Sequence, residues 1–142
     1  MESFLKAVVT FWATATCAAT RAKMTGGLWL LEAPQAGRTA GPYVVMIPLD
    51  GWTEHHNDGR LEMPVIQFSL FTESEDATST LIQGRDEFVA AFDDKLLTLA
   101  NTPQGTASHF QMRRDGYGAF VKEPEEGYGI HLSYQVGIDQ AA

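Results

Sequence analysis

The chain has 142 residues, of which 44% are hydrophobic and 20% are charged, a balance typical of a globular protein rather than a disordered one. This length predicts one domain over residues 1–142. The formal net charge of −8 argues against general affinity for nucleic-acid phosphates, because such proteins usually carry a basic excess. The single cysteine, Cys17, excludes an intramolecular disulfide and an all-cysteine metal site. No apolar run approaches the roughly 20 residues that span a bilayer.

Residues 2–20 are predicted to form the first helix, with Ser3 as a candidate N-cap. Its hydrophobic side chains recur at the helical period: Phe4, Val8, Trp12, Ala15 and Ala19. The glycines of Thr25-Gly26-Gly27 are expected to end this element. An alternative interpretation is a secretory signal peptide, but Glu2 and the threonines within the apolar stretch argue against it.

Two short strands are predicted next. Leu28–Leu31 and Tyr43–Leu49 are rich in the aliphatic and aromatic residues typical of strands. Ala33–Pro42 lies between them and contains two prolines and two glycines, which is typical of a loop. Pro48 has no N–H to donate, so it indicates the edge or the end of the second strand.

A hairpin and a second helix follow. Asp50–Arg60 is polar and includes Asn57-Asp58-Gly59, which favours a turn, so we predict a long connection here. Leu61–Phe71 alternates hydrophobic and polar residues as a strand with one solvent-facing side does. Ser74–Leu99 is predicted to be helical, with Ser74 as its N-cap. The apolar stripe of this helix is Leu81, Phe88, Phe92, Leu96 and Leu99.

Three strands are predicted in the last third of the chain, around Phe110–Arg113, Ala119–Val121 and Tyr128–Asp139. The last of these has six consecutive alternations of hydrophobic and other residues. The order helix, strands, helix, strands predicts an α+β fold, with a mainly antiparallel sheet and two helices packed on one face.

No pattern in the sequence indicates catalysis, so we predict no enzyme activity, no metal and no cofactor. His55 and His56 are adjacent, and on a strand they would point to opposite faces, which suits one metal ion poorly. His109 and His131 alternate with hydrophobic residues, which is typical of a solvent-facing or interface position. Cys17 has no partner base in the sequence. The acidic residues of the second helix indicate a solvated surface: Asp86, Glu87, Asp93 and Asp94.

Several consecutive segments share the order and spacing of a known family. They begin with Gly27-Leu-Trp-Leu-Leu-Glu-Ala-Pro-Gln and Gly41-Pro-Tyr-Val-Val-Met-Ile, and continue with Val65-Ile-Gln-Phe-Ser-Leu-Phe-Thr-Glu-Ser before the long helix. They end with the arginine-bearing Phe110–Arg114 and the alternating Tyr128–Val136. This arrangement resembles the tail-completion family of tailed phages, which comprises tail terminators and head–tail joining proteins. The resemblance covers residues 3–138, and no single motif in it is specific.

The resemblance implies a small subunit that assembles into a ring, a hexamer in this family. The ring caps the tail tube, ends its growth and joins the tail to the head. The implied partners are further copies of the chain, the tail tube protein and a head-completion or connector protein. DNA passes through without specific binding, and no membrane is involved. The implied location is the head–tail interface of the virion, after assembly in the host cytoplasm.

Two alternatives remain open: a head-completion or adaptor protein at the same interface, and a small α+β ligand-binding module or enzyme with a pocket near His109 or His131.

Candidate interface residues lie in two places. Exposed aromatic and arginine residues on loops are typical binding anchors, and the hairpin connection contains several candidates: Trp52, His55, His56 and Arg60. The alternative for Trp52 is that it covers the edge of the core. Arg113 and Arg114 are candidate partners for acidic residues of a neighbouring subunit, and the alternative is that they are solvated charges at a strand end.

Overall fold

A computed structural model describes the backbone of residues 2–56, 59–99, 108–115, 118, 120–123 and 127–141, and the side chains of residues 5–49, 65–95, 112–115, 118, 120–122 and 127–136. Within the described residues the chain forms four α-helices and seven β-strands. The helices are α1 (Glu2–Trp12), α2 (Ala18–Lys23), α3 (Gln35–Ala40) and α4 (Thr78–Phe92). The strands are β1 (Gly27–Leu30), β2 (Tyr43–His56), β3 (Gly59–Thr72), β4 (Leu96–Leu99), β5 (Ser108–Asp115), β6 (Phe120–Glu123) and β7 (Gly127–Ala141).

The strands form one sheet in the order β1-β2-β3-β7-β5-β4, and β6 also pairs with β7. β7 is central, because β3 pairs along one of its edges while β5 and β6 share the other edge. β1 and β2 run parallel, and every other pair that the structure describes is antiparallel. The prediction of an α+β fold with a mainly antiparallel sheet is therefore confirmed.

One face of the sheet holds the main hydrophobic core; α1 and α4 pack on it, and α2 packs against α4. Phe88 and Phe92 of α4 stack with their ring centroids 4.3 Å apart, and Phe68 of β3 lies 5.0 Å from the Phe88 ring. Burying one such side chain contributes roughly 1.5–3 kcal/mol. Alternate residues of β7 contribute the sheet side of this core, namely Ile130, Leu132, Tyr134 and Val136. The predicted helices therefore lie on one face of the sheet, as expected.

The first predicted helix is not continuous. α1 ends at Trp12, a 3-10 turn follows at Ala15–Cys17, and α2 then begins. The Thr14 hydroxyl donates to the Phe11 carbonyl at 2.7 Å, and the Arg21 guanidinium donates to the carbonyls of Trp12 and Thr14. These side-chain donors satisfy carbonyl groups at the break, so the chain can turn without leaving them unpaired.

The second predicted helix is too long at both ends. α4 begins at Thr78, after a 3-10 turn, and ends at Phe92. Asp94 then has a φ of 56°, which reverses the chain. Its N–H donates to the Met112 carbonyl at 2.9 Å, so the backbone joins the sheet and continues as β4. Leu96–Leu99 was expected to continue the helical stripe but is a strand, because the sheet edge supplies hydrogen-bond partners.

Two predicted loops also contain regular structure. The Ala33–Pro42 segment includes α3, whose Gly37 lies close to the Trp29 indole on the sheet face opposite the main core. Asp50–Arg60 was predicted as a polar connection, but its described residues belong to β2 and β3, which pair up to His56 and Gly59. Residues 57 and 58 lie outside the described part of the chain.

Pro48 lies within β2 rather than at its end. Because β1 pairs with β2 only over Tyr43–Met46, Pro48 lies on an edge of β2 that is open among the described residues. The predicted edge position is thus correct, whereas the predicted end of the strand is wrong. An extra residue in β2 between Leu49 and Trp52 shifts the register and forms a β-bulge.

Candidate interaction surfaces

The sheet face opposite the main core carries an open groove of about 460 Å³. The segment between β1 and β2 forms its rim, and β2, β3 and β7 form its floor. One half of the floor is hydrophobic, with Tyr43, Val45 and Phe71, and Ala33 packs on them. The other half is polar, with Gln67, Ser69 and His131. The groove thus combines an apolar surface with a small number of polar groups, as binding sites commonly do.

The three polar floor residues form one hydrogen-bonded group. The Gln67 amide nitrogen donates to Ser69 Oγ at 2.8 Å, and Ser69 Oγ lies 2.8 Å from His131 Nδ1. Because the amide nitrogen can only donate, the Ser69 proton is left for the imidazole nitrogen. The His131 ring also meets the Phe71 ring edge to face, with centroids 5.6 Å apart. Ser69 is buried, and its hydroxyl orients the His131 imidazole.

Arg38 of α3 stands at the rim of this groove. Its guanidinium donates to Gln35 Oε1 at 3.0 Å, whereas its Nε lies 3.9 Å from Glu73 Oε1, beyond hydrogen-bond distance. That Nε is buried and has no hydrogen-bond partner among the described residues. The ion pair links α3 to the start of the segment that leads into α4, but partial exposure of both side chains makes it weak.

Asp93, Arg114 and Tyr134 form a partly buried cluster under the end of α4. The Tyr134 hydroxyl donates to Asp93 Oδ1 at 2.5 Å, and Arg114 Nε donates to Asp93 Oδ2 at 2.8 Å. Burial raises the pKa of Tyr134 far above its ordinary value, and the hydrogen bond to the Asp93 carboxylate raises it further. The cluster ties the end of α4 to β5 and β7. The expectation that Asp93 belongs to a solvated surface is therefore wrong.

The two candidate arginines have different environments. Arg114 is only 18% exposed and is paired with Asp93 of its own chain, so it is not a solvated strand-end charge. Arg113 is exposed, and it lies opposite Gln135 on the face that carries the groove. Of these two residues, Arg113 is the one that a neighbouring molecule can reach.

The remaining interface candidates lie in the far part of the β2–β3 hairpin. The register pairs the backbone of His55 with that of Arg60, and the backbone of Trp52 with that of Met63. His56 is the last residue of β2. The side chains of these residues, like that of His109 in β5, lie outside the part of the chain whose side chains the structure describes.

A catalytic or metal centre is not evident among the described residues. They contain no group of three or more His, Cys, Asp and Glu side chains that could hold a metal ion. Cys17 is buried, and burial raises the pKa of its thiol, which disfavours the reactive thiolate. None of the helices that the structure describes is long and apolar enough to cross a membrane.

Two sheet edges expose large hydrophobic side chains that were not among the interface candidates predicted from the sequence. At the β1 edge Leu30 is 48% exposed and Leu31 is 63% exposed, and Leu31 has a φ of 66°. A left-handed conformation costs a residue with a side chain roughly 1–2 kcal/mol. At the other edge, Phe120 of β6 is 43% exposed and Val121 is 40% exposed. The run of four hydrophobic residues at Leu28–Leu31, without polar alternation, was the available signal for the first edge.

Comparison with solved structures shows a likeness of fold. No protein-family model matches the sequence, and no curated protein matches it. Among solved structures, the chain is similar to one described as "Virion of native gene transfer agent (GTA) particle". The TM-score is 0.69 at 15% sequence identity, and the match covers 87% of this chain and 86% of that one. At this identity the likeness shows that the two chains share a fold.

Proposed function

We propose that the protein is a structural component of a tailed, phage-like particle, and that it acts there as a tail terminator. The observation that carries the proposal is a fold shared over most of both chains with a component of a gene transfer agent virion. The order and spacing of the segments from β1 to β7 support the same role, because they resemble the tail-completion family.

In this role, copies of the chain form a ring, a hexamer as the family resemblance implies, that caps the tail tube, stops its growth and joins it to the head. A ring needs two different contact surfaces on each subunit, since head-to-tail contacts close by rotation. The described residues offer two different sheet edges with exposed hydrophobic side chains, Leu30 and Leu31 at the β1 edge and Phe120 and Val121 at the β6 edge.

The β2–β3 hairpin is our candidate for contacts with the tail tube protein or the head connector. Each strand has 14 residues, which corresponds to about 46 Å of extended chain. α4, with 15 residues, is only about 22 Å long. The far part of the hairpin carries the proposed anchors Trp52, His55, His56 and Arg60. Arg113, which is exposed, is a further candidate and lies on β5.

The charge of the chain fits a channel through which DNA passes without being held. A net charge of −8 per subunit gives a ring of six copies a large negative charge, which repels the phosphate backbone at short range. We propose that DNA contacts in the ring are non-specific and transient.

Two other functions are consistent with parts of the structure. A head-side adaptor would use the same kind of subunit at the same interface. A ligand-binding module is favoured by the groove, whose volume of about 460 Å³ lies within the range of small-molecule sites. A ligand that fills the groove would raise the melting temperature in a saturable way.

The location of the protein in intact particles tests the proposal. Gold-labelled antibodies against the chain should decorate the junction between head and tail, at one site per particle. Antibody depleted with the purified protein is the control. Label along the tube, label on the head shell, or particles without label would contradict the proposed role.

A further inference from the structure

The sheet ends in two short strands that overlap at two successive rows of residues. β1 and β6 each have four residues. The pairing registers connect them through one row of residues across the sheet: Leu28, Val44, Leu70, Ile130 and Phe120. At this level the order is therefore β1-β2-β3-β7-β6. Among the described residues, neither edge strand has a partner on its outer side.

Both edges expose hydrophobic side chains to solvent, and β6 exposes Lys122 as well. Leu30 and Leu31 are exposed at the β1 edge, and Phe120 and Val121 are exposed at the β6 edge. The Phe120 ring stacks on Tyr128 of its own chain, which leaves its outer side open. An edge strand with unpaired backbone groups and exposed hydrophobic side chains readily pairs with another strand, and most proteins avoid or cover such edges.

The strand directions allow the two edges to pair with each other. β1 is parallel to β2, and three successive antiparallel pairs lead from β2 to β6, so β1 and β6 run in opposite directions. A second copy that continues the sheet would thus place its β1 antiparallel to β6. β4 already occupies the equivalent outer position beside β5, in the same direction. β1 of the second copy would lie beside β6 and in line with β4, at a position that none of the described residues occupies.

We propose that β6 of one copy pairs with β1 of the next copy, so that one sheet continues around the ring. This inference rests on the proposed function and specifies the contact between its subunits. The occupant is a second copy because the two edges match in length and direction, overlap in level and both expose hydrophobic side chains. The two edges are different surfaces, so the contact is head-to-tail and closes by rotation. Six copies that each contribute five strands, at about 4.8 Å per strand, would form a closed sheet about 46 Å across with an open centre.

Disulfide trapping in particles tests this contact. Pairing all four residues of each strand requires a shift of two residues from the Leu28–Phe120 row, and it places Leu30 opposite Phe120. A gene that carries Leu30→Cys and Phe120→Cys is used to complement a mutant that lacks the wild-type protein, and the purified particles are then oxidised. Within one chain the two positions are four strand spacings apart, about 19 Å, too far for a disulfide. Bonds can therefore form only between copies, and we expect a ladder of covalent multimers up to the hexamer. Leu28→Cys with Phe120→Cys tests the register without this shift.

The matched control keeps Phe120→Cys and places the second cysteine in the helical layer, at Ile82→Cys, which is also an exposed hydrophobic position. It should give no ladder. Oxidised particles that contain the double-cysteine chains only as monomers would overturn the proposed pairing, and so would a ladder of equal strength in the control. Particles that assemble and infect normally without the protein would instead overturn the proposed function.

Backbone hydrogen exchange provides a second measurement that needs no substitution. In the assembled ring, the amides of Leu28, Leu30 and Phe120–Glu123 that face outwards should exchange more slowly than in the monomer. Exchange at both edges that is unchanged between monomer and ring would contradict the proposed pairing, even if the cysteine variants failed to fold.

Discussion

Replacing Tyr134 by phenylalanine removes one hydroxyl from the cluster under α4 and leaves the ring in place. Tyr134 is fully buried, and its hydroxyl donates to the Asp93 carboxylate at 2.5 Å. A hydrogen bond to a charged group contributes about 1.5–3 kcal/mol. Asp93 is 24% exposed, so water can replace part of the lost interaction. We therefore expect Tyr134→Phe to lower the free energy of unfolding by about 1.5–2 kcal/mol near neutral pH, and the melting temperature by about 5–7 °C.

The effect of this substitution should depend on pH. Burial and the neighbouring carboxylate raise the pKa of Tyr134 well above the ordinary value of about 10. Above pH 10 the tyrosine of the unfolded chain loses its proton while that of the folded chain keeps it, so the wild-type protein loses stability as pH rises. The loss is about 1.4 kcal/mol per pH unit. The phenylalanine variant lacks this proton, so its deficit should shrink by about that amount at pH 11.

Urea unfolding followed by circular dichroism at pH 8 and pH 11 measures both effects. Tyr128→Phe is the matched control, because Tyr128 is only partly buried and its ring packs on Phe120. We expect it to cost less than about 0.5 kcal/mol. If Tyr134→Phe cost no more than the control at pH 8, or if its deficit were the same at both pH values, our assignment of the cluster would be wrong.

Three further predictions concern the core, the arginines and one turn. Phe88→Ala should cost about 3–5 kcal/mol in urea unfolding, because it opens a cavity beside a stacked ring, whereas Phe120→Ala at the sheet edge should cost about 1 kcal/mol or less; equal costs would contradict the described core. Arg114→Ala should lower the stability by about 2 kcal/mol by leaving Asp93 without its cation, while Arg113→Ala should leave the melting temperature unchanged and reduce incorporation into particles, as quantitative immunoblots would show; the reverse pattern would refute the assignment. Gly127→Ala should cost about 2 kcal/mol in thermal unfolding, since Gly127 has a φ of 93° and a Cβ there would lie 2.3 Å from the Thr72 carbonyl oxygen, and an unchanged melting temperature would contradict the described turn.

Secondary-structure elements with long periodic patterns were predicted from the sequence with little error. The alternation from Tyr128 to Asp139 fits β7, because the hydrophobic residues of this central strand face the helical layer. Short patterns were ambiguous. Leu96 and Leu99 are three residues apart, which suits the apolar stripe of a helix, yet they belong to the edge strand β4. The segment forms a strand rather than a helix because the N–H of Asp94 donates to the carbonyl of Met112, a residue distant in sequence, and brings the chain into the sheet.

The interaction surfaces were less accessible to sequence reasoning, because they depend on residues that converge in space. Asp93 and Tyr134 are 41 residues apart in the chain, and nothing local to either residue indicates their contact. The hydrophobic edge at Leu30 and Leu31 was recognised as a strand, but its position at the edge follows only from the order of the strands. Predicting the partners of an edge strand requires the topology of the whole sheet.

The hairpin shows why polar composition was misleading. Residues 50–60 are rich in charged and polar residues, a composition typical of a loop. In the structure their described backbone continues β2 and β3, because strand pairing with β3 and β7 satisfies the backbone groups.

Electron microscopy of particles from a phage that carries an early stop codon in this gene tests the central claim most directly. A tail terminator both ends the tube and joins it to the head, so we expect overlong or irregular tails, detached from DNA-filled heads, and wild-type particles after complementation in trans. Detached tails of normal length would indicate the head-side adaptor instead. Infectious particles of normal shape in the absence of the protein would contradict the account.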